Sequence, residues 1–186
     1  LMGGAAAVIA IGLWLLPDST ANSALNALTR LGYPGGWVIR YIEENPELSE
    51  RAIGTSVDPN SLGGLLLMIG ALIGPQVVTR QPLFRRPLVL LIAGLVIVAL
   101  ILTFSRGAML GLAAGLGFVA LTRYRRLLPW LALAALLLLV LPITQGYIAR
   151  FVEGFQGADL ATQMRFGEYK DALILIGRYP IFGVGF

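Results

Sequence analysis

Polar positions along this chain are bunched, and five apolar runs separate the bunches. The runs cover about 1–16, 62–79, 87–104, 107–122 and 127–143. Each approaches the ~20 residues that cross a ~30 Å hydrocarbon core, the shorter ones at the low end of that range. The first, "LMGGAAAVIAIGLWLL", reads as the outer part of a membrane helix stopped by Pro17 and Asp18. Residues 18–61 are mixed. They hold a short helix, "SALNALTRL", a turn, "GYPGGW", and an acidic stretch, "RYIEENPELSER". Residues 144–186 are mixed again, with charges every few positions. In "ATQMRFGEYKDALILIGRYPIFGVGF", Phe166, Tyr169, Leu173 and Ile176 fall at helical spacing. That spacing predicts an amphipathic helix over 163–176, with Gly177 as its C-cap and Pro180 just beyond. The expected fold is all-α: a polytopic transmembrane helical bundle with an external loop and an amphipathic helix.

Composition narrows the class. Hydrophobic residues make up 57% of the chain and charged ones only 13%, about half the usual share of a soluble domain. Cysteine and histidine are absent, which excludes disulfides, Cys or His metal sites and imidazole acid–base chemistry within these residues. No P-loop, HExxH or paired-acid motif occurs, and nothing suggests a nucleic-acid partner. The chain opens on Leu1 without a basic stretch before its first apolar run, so no signal peptide is evident. It is read as a fragment, residues 1–186 forming part of one membrane domain.

Charge then orients the runs. Arg80, Arg85 and Arg86 follow the second, and Arg123, Arg125 and Arg126 follow the fourth, with no acid in either connection. By the positive-inside rule both connections are expected in the cytoplasm. Residues 18–61, the Ser105–Arg106 turn and residues 144–186 are then external.

Three stretches carry candidate chemistry. In "TFSRGAML", Arg106 sits at the external mouth of a helical hairpin with no acidic residue near it in sequence. Basic residues are disfavoured on that side of a short hairpin, and a guanidinium is a fixed, forked clamp for pyrophosphate. A lipid-anchoring role is the plain alternative. Arg165 opens the 163–176 helix, with Glu168 and Tyr169 one turn on; an exposed Arg165–Glu168 pair is its plain alternative. In "RAIGTSVDPNSLGG", Arg51 is a candidate anion ligand, Ser56, Asp58 or Ser61 suits a helix cap, and Pro59 suits a helix entry. Gly107, Gly111 and Gly115 recur every fourth residue and suit close helix packing.

An Arg-bearing "PN" approach to a helix, an "SRG" turn between two helices and a closing "R…Y…A…I…YPIFGVG" occur here in that order. Together they resemble the O-antigen ligase and polymerase family of bacterial envelope proteins, which includes protein O-oligosaccharyltransferases. The resemblance covers residues from about 50 to 186. It implies a multi-pass protein of the bacterial inner membrane whose active side is external. Such a protein moves a glycan from undecaprenyl pyrophosphate to a lipid A core, another glycan or a protein hydroxyl, without metal or nucleotide. It further implies that Arg106, Arg165 and Arg51 bind the donor pyrophosphate, and that Ser105, Asn60, Tyr169, Pro180, Gly183 and Gly185 shape the site. A catalytic histidine is expected shortly after the Gly-rich end. Glu168 and Asp171 are the acids nearest Arg165, and neither is taken as the general base. Two other classes stay open: a transporter or flippase subunit for lipid-linked sugars, and a non-catalytic scaffold built on the glycine stripe.

Overall fold

The computed structural model describes residues 1–140, 145–157, 160–181 and 183–184. The molecule is mostly helical. In chain order it runs α1 (Met2–Trp14), α2 (Asp18–Asn26), β1 (Arg40–Tyr41), β2 (Glu50–Arg51), α3 (Pro59–Val78), α4 (Arg86–Leu102), α5 (Arg106–Thr122), α6 (Leu128–Val140), α7 (Gln145–Gln156) and α8 (Leu160–Arg178). The chain divides into two compact units, Leu1–Leu137 and Leu138–Phe186.

The first unit is built around α3. Asp58 caps this helix by accepting from the Ser61 backbone N–H at 2.8 Å, and Pro59 supplies the first turn. Both residues suit those positions: one satisfies an orphan donor, and the other has no N–H to lose. α3 packs against α4 on one side and α5 on the other, and α1 lies on α4. Leu62 and Leu66 of α3, Val96 and Ala99 of α4, Ala108 and Leu112 of α5 and Ala7 and Ala10 of α1 form the buried seam. The seam uses small residues because the helices approach closely. A Cβ on Gly63 would lie 2.9 Å from the Ala108 Cβ and 3.0 Å from the Ser105 Cβ. Gly70 and Gly74 of α3 likewise lie under Leu112 and Leu116 of α5.

That packing redistributes the glycine roles. Gly111 faces Leu67 and Gly115 lies near Ala71, so two members of the α5 stripe do meet α3. Gly107 has open space where its side chain would be. Between α3 and α5 the closest approaches are made by the glycines of α3.

α3, at 20 residues, is long and apolar enough to cross a membrane. α1, α4 and α5 are apolar but shorter, at 13, 17 and 17 residues. Large apolar side chains stay exposed on their outer faces, among them Met68, Leu72, Leu90, Leu91, Phe118 and Leu121. The apolar runs are therefore found as helices, shifted by a few residues; of the last one, 127–143, residues 141–143 lie outside the described residues.

The 18–61 segment departs further from expectation. Its helix starts at Asp18, not Ser23, and tightens to a 3₁₀ turn over Ala27–Leu31 before Gly32 stops it at φ 87°. The acidic stretch forms a short antiparallel ladder, Arg40 opposite Arg51 and Tyr41 opposite Glu50. Asn45 turns the chain between them, its side chain accepting from the Glu47 N–H at 3.0 Å. Ala21, Leu25, Val38, Ile39 and Ile53 give this segment a small core of its own. The Ala52 N–H donates to the Leu102 carbonyl at 2.8 Å, which fixes the segment to the end of α4.

In the second unit, α8 runs Leu160–Arg178, longer than the expected 163–176, and Gly177 lies inside it instead of capping it. α7 was not expected, although its "YIARFVEGF" carries apolar positions 148, 151, 152 and 155 at helical spacing.

Candidate functional site

The corner between α4 and α5 takes three residues. Thr103 ends α4, fully buried, with its hydroxyl donating to the Leu100 carbonyl at 2.7 Å. Phe104 turns the chain at φ 51°, a left-handed backbone that a bulky L-residue rarely adopts. Ser105 then precedes α5; its N–H donates to the Thr103 Oγ1 at 3.2 Å, and its side chain packs on Gly63. Arg106 is the first residue of α5 and is half-buried. The left-handed step at Phe104 is what lets Arg106 follow α4 so soon. Strain of this kind persists where surrounding packing holds it.

The hairpin brings Arg51 to the same corner. β2 alternates its side chains, so Glu50 and Arg51 face opposite ways. The Arg51 Nε donates to the Thr103 carbonyl at 2.9 Å, and its Nη2 donates to the Asn60 Oδ1 at 3.1 Å. Asn60 is in the first turn of α3. Arg51 thus ties the external segment to both α3 and α4, and its cation sits at the C-terminal end of α4, where it complements the helix dipole. Asn60 is an acceptor for Arg51, while Asp58, one of the cap candidates, does the capping.

Four of the sequence-derived residues are therefore gathered at one end of the bundle: Arg51, Asn60, Ser105 and Arg106. The first turn of α5 contains no acid, and the Ser105 side chain makes no cap hydrogen bond. The positive end of the α5 dipole adds to the two guanidinium charges there. This corner suits an anion.

Arg165, Tyr169, Pro180 and Gly183 belong to the second unit. Arg165 and Tyr169 are exposed on α8. Pro180 follows α8 in a turn closed by the Gly183 N–H donating to the Tyr179 carbonyl at 3.2 Å. Gly183 takes φ 64°, a left-handed conformation that suits glycine. Gly185 lies outside the described residues.

On the other face of the hairpin is a cluster that the sequence reading did not single out. The Tyr41 hydroxyl donates to the Asp18 carboxylate, and Glu50 is Tyr41's cross-strand neighbour. The Trp14 Nε1–H donates to the Glu50 carbonyl at 3.2 Å. Burial, with Asp18 as the second cause, pushes the Glu50 carboxyl up to about 7. The Asp18 hydrogen bond, then burial, pushes Tyr41 up to about 12. The signal lay in "RYIEENPELSER": an Asn-Pro turn flanked by mirrored Arg-Tyr and Glu-Arg pairs is a hairpin pattern. Among the described residues no cluster of acids could hold a metal ion.

Nothing among curated proteins or solved structures matches the chain. A family model described as O-antigen ligase matches residues 88–186, slightly more than half of the chain. The match takes in α4 from Leu88 on, the strained corner with Ser105 and Arg106, and all of α5 to α8. The family is one of bacterial membrane proteins associated with lipopolysaccharide biosynthesis. On that match, the chain belongs to the O-antigen ligase family.

Proposed function

We propose that this protein is a multi-pass glycan transferase of the bacterial inner membrane. On the outer face it moves a glycan from a lipid-linked pyrophosphate donor, undecaprenyl pyrophosphate, to an acceptor hydroxyl on a lipid A core, another glycan or a protein. Arg106 and Arg165 bind the donor pyrophosphate, with Arg51 beside Arg106. Neither metal nor nucleotide takes part. The observation that carries this reading is that Arg51, held to the Thr103 carbonyl, and Arg106, the first residue of α5, share one corner of the bundle. That corner lies at the end of a bundle whose central helix is long enough to span a membrane.

The chemistry needs such an arrangement. As the anomeric bond to the donor breaks, the departing pyrophosphate gains negative charge. Fixed cations where that charge develops lower the barrier without reorganising. The acceptor hydroxyl requires a general base, and the family resemblance assigns that part to a histidine beyond Phe186. A flippase path is the weaker reading, because the middle turns of α3, α4 and α5 carry no charged residue to line one.

Glycan transfer by the whole protein carrying Arg106→Ala, at wild-type abundance in the membrane, tests the reading. A charge-assisted contact is worth about 1.5–3 kcal/mol. Its loss should slow transfer by about ten- to a hundred-fold. Arg106→Lys should restore little, since an ammonium cannot reproduce a two-pronged contact. Undiminished transfer by Arg106→Ala would return Arg106 to a lipid-anchoring role.

A further inference from the structure

At the other end of α3 and α5 lies an open concavity of about 650 Å³. Its walls come from the exit of α3, the exit of α5 and the 3₁₀ turn Arg125–Leu127. Thr79, Arg80, Arg123, Tyr124, Arg125 and Arg126 line it. The turn is held in place: Leu127 is buried, and its N–H donates to the Tyr124 carbonyl at 2.8 Å. Arg86 approaches the rim, its Nη2 donating to the Thr79 carbonyl at 3.3 Å.

Four guanidinium groups around one concavity repel each other. No acid lies among the lining residues, and among the described residues none of the four is in an ion pair. An anion entering the cavity would relieve that repulsion and meet forked donors, with the Thr79 and Tyr124 hydroxyls at hand. α3, with 20 residues, is about 30 Å long at ~1.5 Å per residue. The cavity is therefore about one hydrocarbon thickness from the Arg51–Arg106 corner, the level at which a lipid phosphate lies. Phe118 and Leu121, near the end of α5, and Trp130, in the first turn of α6, are exposed, which suits acyl chains and an interfacial ring at this level.

A basic connection can also serve only to orient a membrane protein, and that role needs charge but no cavity. The walled concavity, the pinned turn and the hydroxyl donors go beyond it. We propose that this cavity is a binding site for a phosphoryl anion, distinct from the donor site and supplied either by the headgroup of an anionic phospholipid or by free phosphate.

The whole protein in detergent micelles is titrated with phosphatidylglycerol, with phosphatidylcholine, and with inorganic phosphate against chloride at equal ionic strength. Thermal stability is the readout. Wild type should gain several degrees with phosphatidylglycerol and nothing with phosphatidylcholine, because a ligand of the folded state raises its melting temperature. A matching gain with inorganic phosphate would identify a free anion as sufficient, and no gain would identify the lipid headgroup. Arg123→Gln with Arg126→Gln should weaken the apparent affinity at least about ten-fold, the ~1.4 kcal/mol of one good contact. Arg123→Lys with Arg126→Lys keeps the charge that orients the chain, so it inserts even if the glutamine variant does not. It should still lose part of the gain, because the fork is gone. A phosphatidylglycerol gain of wild-type size in the lysine variant, or no gain from either anion in wild type, overturns the proposal.

Discussion

Arg51 and Gly63 are the two residues on which the corner's geometry turns. The arginines were legible in the sequence because a guanidinium beside apolar runs is costly and so conspicuous. What Arg51 does was not legible. Its partners are 52 and 9 residues away, and one of them is a main-chain carbonyl that any residue could present. Arg51→Ala should leave the Thr103 carbonyl and Asn60 without that donor and cost about 1.5–3 kcal/mol of stability. Thermal denaturation measured alongside transfer separates two roles: if Arg51 only fastens the hairpin, transfer recovers on cooling as the fold does. Gly63 gives a cleaner test. Its added methyl would meet the Ala108 Cβ at 2.9 Å, whereas Gly64, next in the chain, has nothing within 4 Å. Gly63→Ala should therefore destabilise by about 1–3 kcal/mol through overpacking. Gly64→Ala should be neutral or gain up to about 1 kcal/mol from helix propensity. Equal melting temperatures for the two variants would show that α3 and α5 do not approach as described. Spacing alone pointed to Gly107, Gly111 and Gly115, because a four-residue period marks a helix face but not which neighbour covers it.

Among the elements, the apolar helices announce themselves because burial in lipid or protein imposes long uninterrupted runs, and Asp58-Pro59 marks where one begins. The β1–β2 ladder did not, since two residues per strand are too few for alternation to register. Its position matters because it sends Arg51 towards the corner and Glu50 towards Trp14, Tyr41 and Asp18. The consequence can be measured. Burial and the nearby Asp18 charge push the Glu50 carboxyl up to about 7 in the folded chain, from an ordinary 4.5. The folded state therefore holds the proton more tightly. The stability this adds is complete below about pH 4.5 and is lost as pH rises towards 7. Because Glu50 is only half-buried, solvent screening reduces the effect to about 1 kcal/mol. Amide exchange in β1 and β2 should quicken across that window beyond the intrinsic pH trend, and Glu50→Gln should abolish the excess. An unchanged excess in the glutamine variant would assign it to another group. α8 teaches the converse lesson. A helix was expected there, but the glycine at 177 suggested a stop that the helix passes through, since an exposed helical glycine costs only about 1 kcal/mol.

For the whole molecule the open quantity is its path through the membrane, and the charges give a definite expectation. Arg80, Arg85 and Arg86 join α3 to α4, and Arg123, Arg125 and Arg126 join α5 to α6, all at one end of the first unit. The Arg51–Arg106 corner is at the other. Two acid-free basic connections on one side predict that side to be cytoplasmic, and the corner with residues 144–186 to be external. α8 enters this argument differently than its expected length of about fourteen residues implied. At 19 residues it is long enough to approach a crossing. Its internal Arg165, Glu168, Lys170 and Asp171 are what oppose one, at roughly 2.5–3.5 kcal/mol for each Arg, Lys or Asp near a bilayer centre. α8 is thus expected to lie along the outer membrane surface without crossing the bilayer. The chain holds no cysteine, so single cysteines report position without background from these residues. In intact spheroplasts an impermeant maleimide should label Glu153→Cys and Lys170→Cys, and should reach Arg85→Cys only after the membrane is opened. Labelling of Arg85→Cys in sealed cells, with Glu153→Cys protected, would invert the orientation. It would also put the Arg51–Arg106 corner on the wrong side of the membrane for an externally presented donor, and so remove the proposed transfer reaction along with the topology.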